Sequence, residues 1–489
     1  MLWLASALAC LVGTRRIATG RATTAQMRIS FSSTSEYEQA LAAEATLPSG
    51  FRVGTAGFRF SPAEAAEGTR ATMNLTLIVA DAPSSSWAAV FTKNAFCGAP
   101  VTVGRNRLAA GGDLQAIVVN NKISNVCSGS DGVGDSEVVC AAAADALSLP
   151  GGASSVLPAS TGVIGWRLPV GEMAEAIPAA AAELQRESML PAARAIMTTD
   201  RYPKLRRASA AGGSIVGTAK GAGMIEPDMA TMLSFVLTDV AVPRAELQRM
   251  LAAAADASFN CMSIDADQST SDSLVLLSSR RVELPAPTAE RDEALAEFEA
   301  ALKRVCDQLA ADVARNGEGT TRVAGGVWAW GEGLGASPDP SRSPPVRHVL
   351  RVAVRGAPSA ELARGVGKAV VNSPLIKTAV AGNDPNVGRI VGAVGSFLGK
   401  AAPQLDLGQC TMAIGGDTVF EGGSFRLSPA REASLSAHLR QAQQESAPFP
   451  PHERFVEVEI DLGAGGEAST VIGSDLTREY VDINADYRS

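Results

Sequence analysis

The chain has 489 residues, 46% hydrophobic and 19% charged, enough apolar material for a large core and too much for a disordered chain. Its net charge of −8, with no basic block in the body of the chain, argues against nucleic acid as a partner. Seven scattered cysteines without a CxxC pair argue against a disulfide scaffold or a structural zinc site, and three histidines, all in the C-terminal third, against a histidine-rich metal centre.

Residues 1–35 carry Arg15, Arg16, Arg21 and Arg28 among many Ala, Ser and Thr, and no acid. That is the composition of an organelle transit peptide, and the apolar run 2–12 is too short to cross a bilayer. A mitochondrial matrix address is expected, with a plastid as the alternative, and the segment is excluded from the fold. The body opens near Leu47. Residues 75–79 and 116–120 read as core strands. Ser160-Thr161-Gly162 follows another apolar run. It reads either as a polar turn or as an oxyanion site, where Gly lets a backbone N–H come close and Thr adds a donor. Residues 170–188 form an Ala-rich helical stretch interrupted by Pro178.

Residues 217–240 organise the rest. Gly217, Gly221 and Gly223 predict a flexible, close-approach loop around Lys220, and from Met232 the chain turns apolar and β-prone. Thr231, preceded by Ala230, sits at the joint. Its hydroxyl is placed either to act as a nucleophile or simply to satisfy backbone groups in a turn. A phosphate-loop reading fails, because Lys220 is preceded by Ala219 and followed by Gly221. Beyond it come a helix over 243–259, with Pro243 in its first turn, and a strand over 273–278. A long amphipathic helix over 290–316 follows, with Leu295, Phe298, Leu302, Val305, Leu309 and Val313 as its buried stripe. Glu318, just past its end, is either a solvated carboxylate or the partner of a substrate ammonium. Residues 331–346 read as a surface insertion, 349–354 as a strand, 359–372 as a helix with Ser359 as N-cap, and 455–462 as a half-exposed strand.

The run from Lys220 to Leu233, KGAGMIEPDMATML, closely resembles the signature of the ornithine acetyltransferase family, the bifunctional glutamate N-acetyltransferases of arginine biosynthesis. Other segments match the same family: LPSGFRVG from Leu47, VFTKN from Val90, STGVIG from Ser160, MTTD from Met197, EGTT from Glu318, SPLIKTAVAGNDPNVGR from Ser373, and the tail YVDINADYRS. The resemblance therefore runs from about Leu47 to the end. The sequence departs from the family pattern within Lys122–Ser124, where two positions that are small or polar in the family are bulky, at Ser271, which replaces Asn, and at Val387, which replaces Trp.

The resemblance implies an α/β (α+β) fold of the layered helix–sheet–sheet–helix type, the self-cleaving N-terminal-nucleophile arrangement. It implies a cut between Ala230 and Thr231, giving an α chain (36–230) and a β chain (231–489) that assemble as an α2β2 heterotetramer. Thr231 is then the acetyl-carrying nucleophile, and Thr161 and Gly162 form the oxyanion hole. Lys220, Glu318, Asn484, Ser489, Thr231 and one of Thr198 and Thr199 hold the substrate. The donor is N-acetylornithine and the acceptor glutamate, with acetyl-CoA as a second donor in some members. No metal or bound cofactor is needed, and neither nucleic acid nor membrane is a partner. Two other readings stand beside this one: a self-cleaving aminopeptidase of related fold that releases its acyl group to water, and an uncut binding protein disabled at Lys122–Ser124, Ser271 and Val387.

Overall fold

The strand Leu233–Val240 is buried at every position, the pattern of a strand covered on both faces. In the computed structural model, which describes residues 33–129, 131–226, 232–319, 348–443 and 454–485, a second sheet covers one face of its sheet and helices cover the other. Ala230, Thr231 and Ser489, the leader-like segment through residue 32, and the insertion at 331–346 lie outside the described residues.

The first sheet runs Phe51–Phe60, Ala71–Ser84, Leu114–Asn120, Val156–Ser160. The central sheet runs Trp87–Phe91, Ser273–Val282, Leu233–Val240, Gly213–Lys220, Lys204–Ala210. Because side chains alternate along a strand, one set from each sheet meets between them: Phe51, Ile78, Ile117 and Leu157 against Leu233, Phe235, Val275 and Leu277. The opposite set of the first sheet, including Leu75, Leu77 and Val118, packs on the helices Gly132–Ala146 and Val170–Ala182. The opposite set of the central sheet, including Ile215, Val236 and Leu276, packs on Arg244–Ala257 and Ala289–Arg315. The layers are thus helix, sheet, sheet, helix. The long helix buries Phe298, Leu302, Val305, Leu309 and Val313, while Leu295 packs from the edge of that stripe.

A third sheet has its own core. Its strand order is Ser424–Phe425, Asp417–Glu421, Thr411–Ile414, Val456–Asp461, Val349–Ala357, Glu467–Ser474, Met262–Ser263. The helices Ala360–Val371, Pro374–Ala381, Val387–Ala401 and Pro429–Ala442 accompany it. Its last strand, Met262–Ser263, comes from the layered body and couples the two.

Some local expectations change. The glycine-bearing stretch read as a loop is strand as far as Lys220. Gly217 lies inside that strand because the long helix comes too close for a side chain: a Cβ there would sit 2.8 Å from Leu309 Cδ1 and 2.9 Å from Val305 Cγ1. The helix expected over 170–188 stops at Ala182, with Pro178 accommodated inside it. Pro243 caps the Arg244–Ala257 helix from outside rather than starting its first turn. The tail is helical over Arg478–Ala485.

Candidate functional site

Lys220 ends a strand that is buried from Ser214 onward, so its side chain emerges between the layers rather than into solvent. Its Nζ donates to Thr161 Oγ1 at 3.0 Å. An ammonium has only donors, so the Thr161 oxygen is the acceptor and its own hydrogen is left to point at a third group. Thr161 opens the turn after Val156–Ser160, and its N–H is held by Asn120 O at 3.1 Å. Asn120 also clips the neighbouring turn: its Oδ1 accepts from the N–H groups of Lys122 and Ile123 at 3.3 and 3.1 Å, and its Nδ2 donates to Ser160 Oγ at 2.6 Å.

Gly162 has φ +122°, and a Cβ there would lie 2.1 Å from the Lys122 carbonyl oxygen. Only glycine fits both demands. The departures at Lys122–Ser124 are accommodated by this turn. Ile123 is buried among the first-sheet core residues, Ser124 Oγ donates to Val163 O at 2.7 Å, and the Lys122 main chain accepts from Val163 N–H at 2.9 Å. Ser271 is buried, while Val387 packs in the core of the third sheet, away from this turn.

Beneath Lys220 lies Asp200, its side chain fully buried. One carboxylate oxygen accepts from Lys204 Nζ and from Gly221 N–H, the latter at 2.7 Å, and the other accepts from Thr198 N–H at 3.1 Å. Burial pushes the Asp200 carboxyl up, but the charges of Lys204 and Lys220 and the Gly221 N–H outweigh it and hold it down at about 2. Burial in turn pushes the Lys220 ammonium down, opposed by Asp200 and reinforced by Lys204. Thr198 and Thr199 are both half-buried in this turn.

Past Lys220 the chain makes a docked turn. Met224 and Ile225 each give an N–H to the Asp265 carboxylate at 2.6 Å. Ile264 N–H returns to Ile225 O at 2.7 Å, and Glu226 N–H reaches Asp267 O at 3.0 Å. Glu318 closes the other side. Its N–H donates to Ala222 O at 2.7 Å, and a Cβ on Gly223 would lie 2.5 Å from its Oε2. That oxygen accepts from Asn484 Nδ2 at 2.8 Å. The tail helix carrying Asn484 is tied down by Tyr480 OH to Asp265 at 3.3 Å, Thr477 Oγ1 to Gly319 O at 3.2 Å, and an Arg201–Glu479 ion pair at 3.2 Å.

Thr161, Gly162, Thr198, Lys220, Glu318 and Asn484, scattered over the sequence, thus meet around one turn. The described residues before Ala230 and Thr231 end at Glu226, in this turn, and those after begin at Met232, next to the strand Leu233–Val240. Asp200 and Asp265 lie in runs that match the family but were given no role by sequence reading, and Lys204 was not singled out. Asp200 directly follows the Thr pair, and nothing in the sequence marks a carboxylate as the meeting point of residues 198, 204 and 221.

Among the described residues, no three His, Cys, Asp or Glu side chains converge to hold a metal ion. A cavity of about 900 Å³ lies on the far side of Lys204, between the long helix and the third sheet. Its cations are already engaged: Arg206 and Arg315 with Asp312, Arg364 with Asp256, Lys303 with Asp307. It therefore offers a charged amino-acid ligand less than Lys220 does, and the chemistry is placed at Lys220.

The ArgJ family matches residues 61–325 and 345–489. The arginine biosynthesis bifunctional protein ArgJ of Methylococcus capsulatus is 38% identical over 419 residues, covering 84% of this chain and 91% of that protein. Its counterpart from Gluconobacter oxydans is 37% identical over 439 residues, covering 89% and 92%. Among solved structures, the ArgJ protein of Bacillus halodurans is 28% identical, covering 52% of this chain and 98% of that chain, with a TM-score of 0.40. The ornithine acetyltransferase of Mycobacterium tuberculosis, complexed with ornithine, is 30% identical, covering 38% and 97%, with a TM-score of 0.30. These relatives are bacterial, which overturns the mitochondrial or plastid address expected from residues 1–35. On the extent of the family match and the identity to full-length relatives, the chain belongs to the ArgJ family, the bifunctional acyltransferases of arginine biosynthesis.

Proposed function

We propose that the chain cuts itself between Ala230 and Thr231 and then carries the acetyl group of N-acetylornithine to glutamate on Thr231. The observation that carries this reading is the Lys220–Thr161 contact beside the left-handed Gly162, in a turn that also gathers Glu318 and Asn484.

In the cut, Thr231 Oγ attacks the Ala230 carbonyl carbon, the peptide nitrogen leaves, and the acyl group shifts to oxygen as an ester. Water then hydrolyses the ester, freeing the Ala230 carboxylate and restoring the Thr231 hydroxyl beside the amine already released by the shift. An α-amine has a pKa of roughly 7.7–8.0, so it is partly neutral near working pH and accepts the proton of its own hydroxyl. The hydroxyl oxygen attacks the acetyl carbonyl of N-acetylornithine, and ornithine leaves with a proton on its nitrogen. The glutamate amine then attacks the acetyl ester and restores the hydroxyl. Each tetrahedral oxyanion meets the Thr161 hydroxyl, whose hydrogen is left available by Lys220, and the Gly162 N–H. Lys220 pairs with a substrate carboxylate and Glu318 with its ammonium; Asn484, Ser489 and one of Thr198 and Thr199 complete the amino-acid end.

The ornithine bound in the Mycobacterium tuberculosis protein is in keeping with this substrate class. The residue chemistry needs no cofactor; acetyl-CoA, a second donor in some members of the family, would load the same Thr231 hydroxyl. The assembly is α2β2.

Denaturing mass spectrometry tests the first step. Two fragments meeting between Ala230 and Thr231 are expected from the unaltered chain, and one uncut, inactive chain from Thr231→Ala. Full transferase activity in Thr231→Ala sinks the mechanism. Acetyl release to water in place of transfer to glutamate moves the reading to the aminopeptidase. An uncut natural chain that still binds ornithine moves it to the binding protein.

A further inference from the structure

One carboxylate beneath this site pairs with one buried ammonium, Lys204, and holds the chain next to a second, Lys220. Asp200 accepts from Lys204 Nζ and the Gly221 N–H with one oxygen and from the Thr198 N–H with the other. Lys204 is as fully buried as Asp200, and its Nζ also donates to Asn316 Oδ1 at 2.7 Å. The second ammonium, Lys220, immediately precedes the N–H that Asp200 holds. The charges that reach Lys220 come from every element around it: Asp200 and Lys204 from the 200–204 segment, Asp272 from the head of the Ser273–Val282 strand, and Glu318 from beyond the long helix. Burial and mutual repulsion both favour loss of a proton from one of two neighbouring cations, and a shared carboxylate opposes that loss.

We propose that Asp200 is a positioning residue that keeps Lys220 an ammonium aimed at Thr161, while Lys204 competes for the same carboxylate. The three side chains together set the pH above which the site loses its substrate-facing charge. Asp200 also fixes the geometry, since the N–H groups it holds lie in the two segments, 198–200 and 220–223, that meet at the site. This role rests on the reading of Lys220 as a substrate-binding cation.

The test reads Lys220 directly and also through turnover. The chain has eight lysines, so an isotope-labelled titration of the lysine ε-carbons, with the Lys220 signal assigned by Lys220→Arg, follows this group whether or not transfer occurs. The pH dependence of kcat/KM for acetyl transfer is measured on the same proteins. Asp200→Asn is expected to move both the Lys220 titration and the alkaline limb of kcat/KM to lower pH by roughly one unit or more. Lys204→Met is expected to move both to higher pH. The double variant, which removes one charge of each sign, is expected to return both to within about half a unit of the unaltered protein.

A purely structural Asp200 would lower the rate without moving the titration, and the double variant would be no better than Asp200→Asn; that result overturns the proposal. If Asp200→Asn does not fold, Lys204→Met decides alone: an unmoved or acid-shifted Lys220 titration overturns it. The expected titration shifts in a protein without transferase activity support the charge assignment and count against the acyl-transfer reading instead.

Discussion

Gly162 is fixed by two independent demands, its left-handed φ and the Lys122 carbonyl 2.1 Å from where a Cβ would stand. Gly162→Ala has to move the Lys122 turn, and with it the N–H assigned to the oxyanion. Losing one oxyanion donor costs about 10²–10³ in rate, so both self-cleavage and transfer are expected to fall by at least that factor, measured as cleavage half-time and kcat. Thr161→Val, which keeps the shape and removes the hydroxyl, is expected to fall in the same range and to cost about 1–3 kcal/mol of stability, since the buried Lys220 ammonium loses that acceptor. Thr161, Gly162 and Lys220 were legible in the sequence because each lies in a dense motif. Asp200 was not, since its role depends on Lys204 and Gly221 arriving at the same carboxylate. The same burial has a pH consequence. Asp200 is held at about 2 against an ordinary value of 3.8, so its ionised form stabilises the folded chain above the ordinary value. That contribution is lost as pH falls from about 3.8 towards 2, and Asp200→Asn is expected to flatten this part of the acid unfolding curve.

At the scale of elements, the long helix and the central sheet define each other. The helix lies so close that Gly217 has no room for a methyl group, and the sequence reading mistook that glycine for loop flexibility when it marks close packing. Gly217→Ala is expected to destabilise by about 1–3 kcal/mol in urea unfolding, and trimming Leu309 to Ala in the same chain to recover part of the loss. The helix is also pinned electrostatically. Arg206 makes a two-point pair with Asp312, at 2.7 and 2.8 Å, and Arg315 adds a third bond at 2.9 Å. Burial pushes the Asp312 carboxyl up, but the two guanidinium groups hold it below its ordinary value. Asp312→Ala leaves the partly buried Arg206 without its main counter-charge, and a loss of about 1–3 kcal/mol is expected, seen as a lowered denaturation midpoint. The helix and its apolar stripe were readable from spacing alone, but the Arg206–Asp312 pair was not, because its partners lie on elements whose neighbourhood only the folded chain establishes.

For the whole molecule, the decisive fact is that the central sheet draws strands from both sides of residues 230 and 231. Trp87–Phe91, Lys204–Ala210 and Gly213–Lys220 come from before them, and Leu233–Val240 and Ser273–Val282 from after. Gly213–Lys220 pairs antiparallel with Leu233–Val240 and Trp87–Phe91 antiparallel with Ser273–Val282, so the sheet is sewn across the proposed cut in two places. The fragments are therefore expected to co-elute in native size-exclusion chromatography and to separate only in denaturant. The layering itself followed from the resemblance to the family. The third sheet did not emerge from the sequence, because its strands alternate with helices and carry no linker composition to set them apart.

The pairing of Gly213–Lys220 with Leu233–Val240 joins neighbours in sequence, separated by a short connection, and in the uncut chain it forms as a local, single-molecule event. Once the connection is severed, the same pairing becomes an encounter between two molecules. Refolding of Thr231→Ala from denaturant should therefore follow first-order kinetics independent of protein concentration, while the processed enzyme should recover at a rate that rises with concentration and stalls when dilute. Maturation would then be a one-way passage: the enzyme is assembled once, as a single chain, and its later persistence depends on how slowly it comes apart rather than on how readily it can form again.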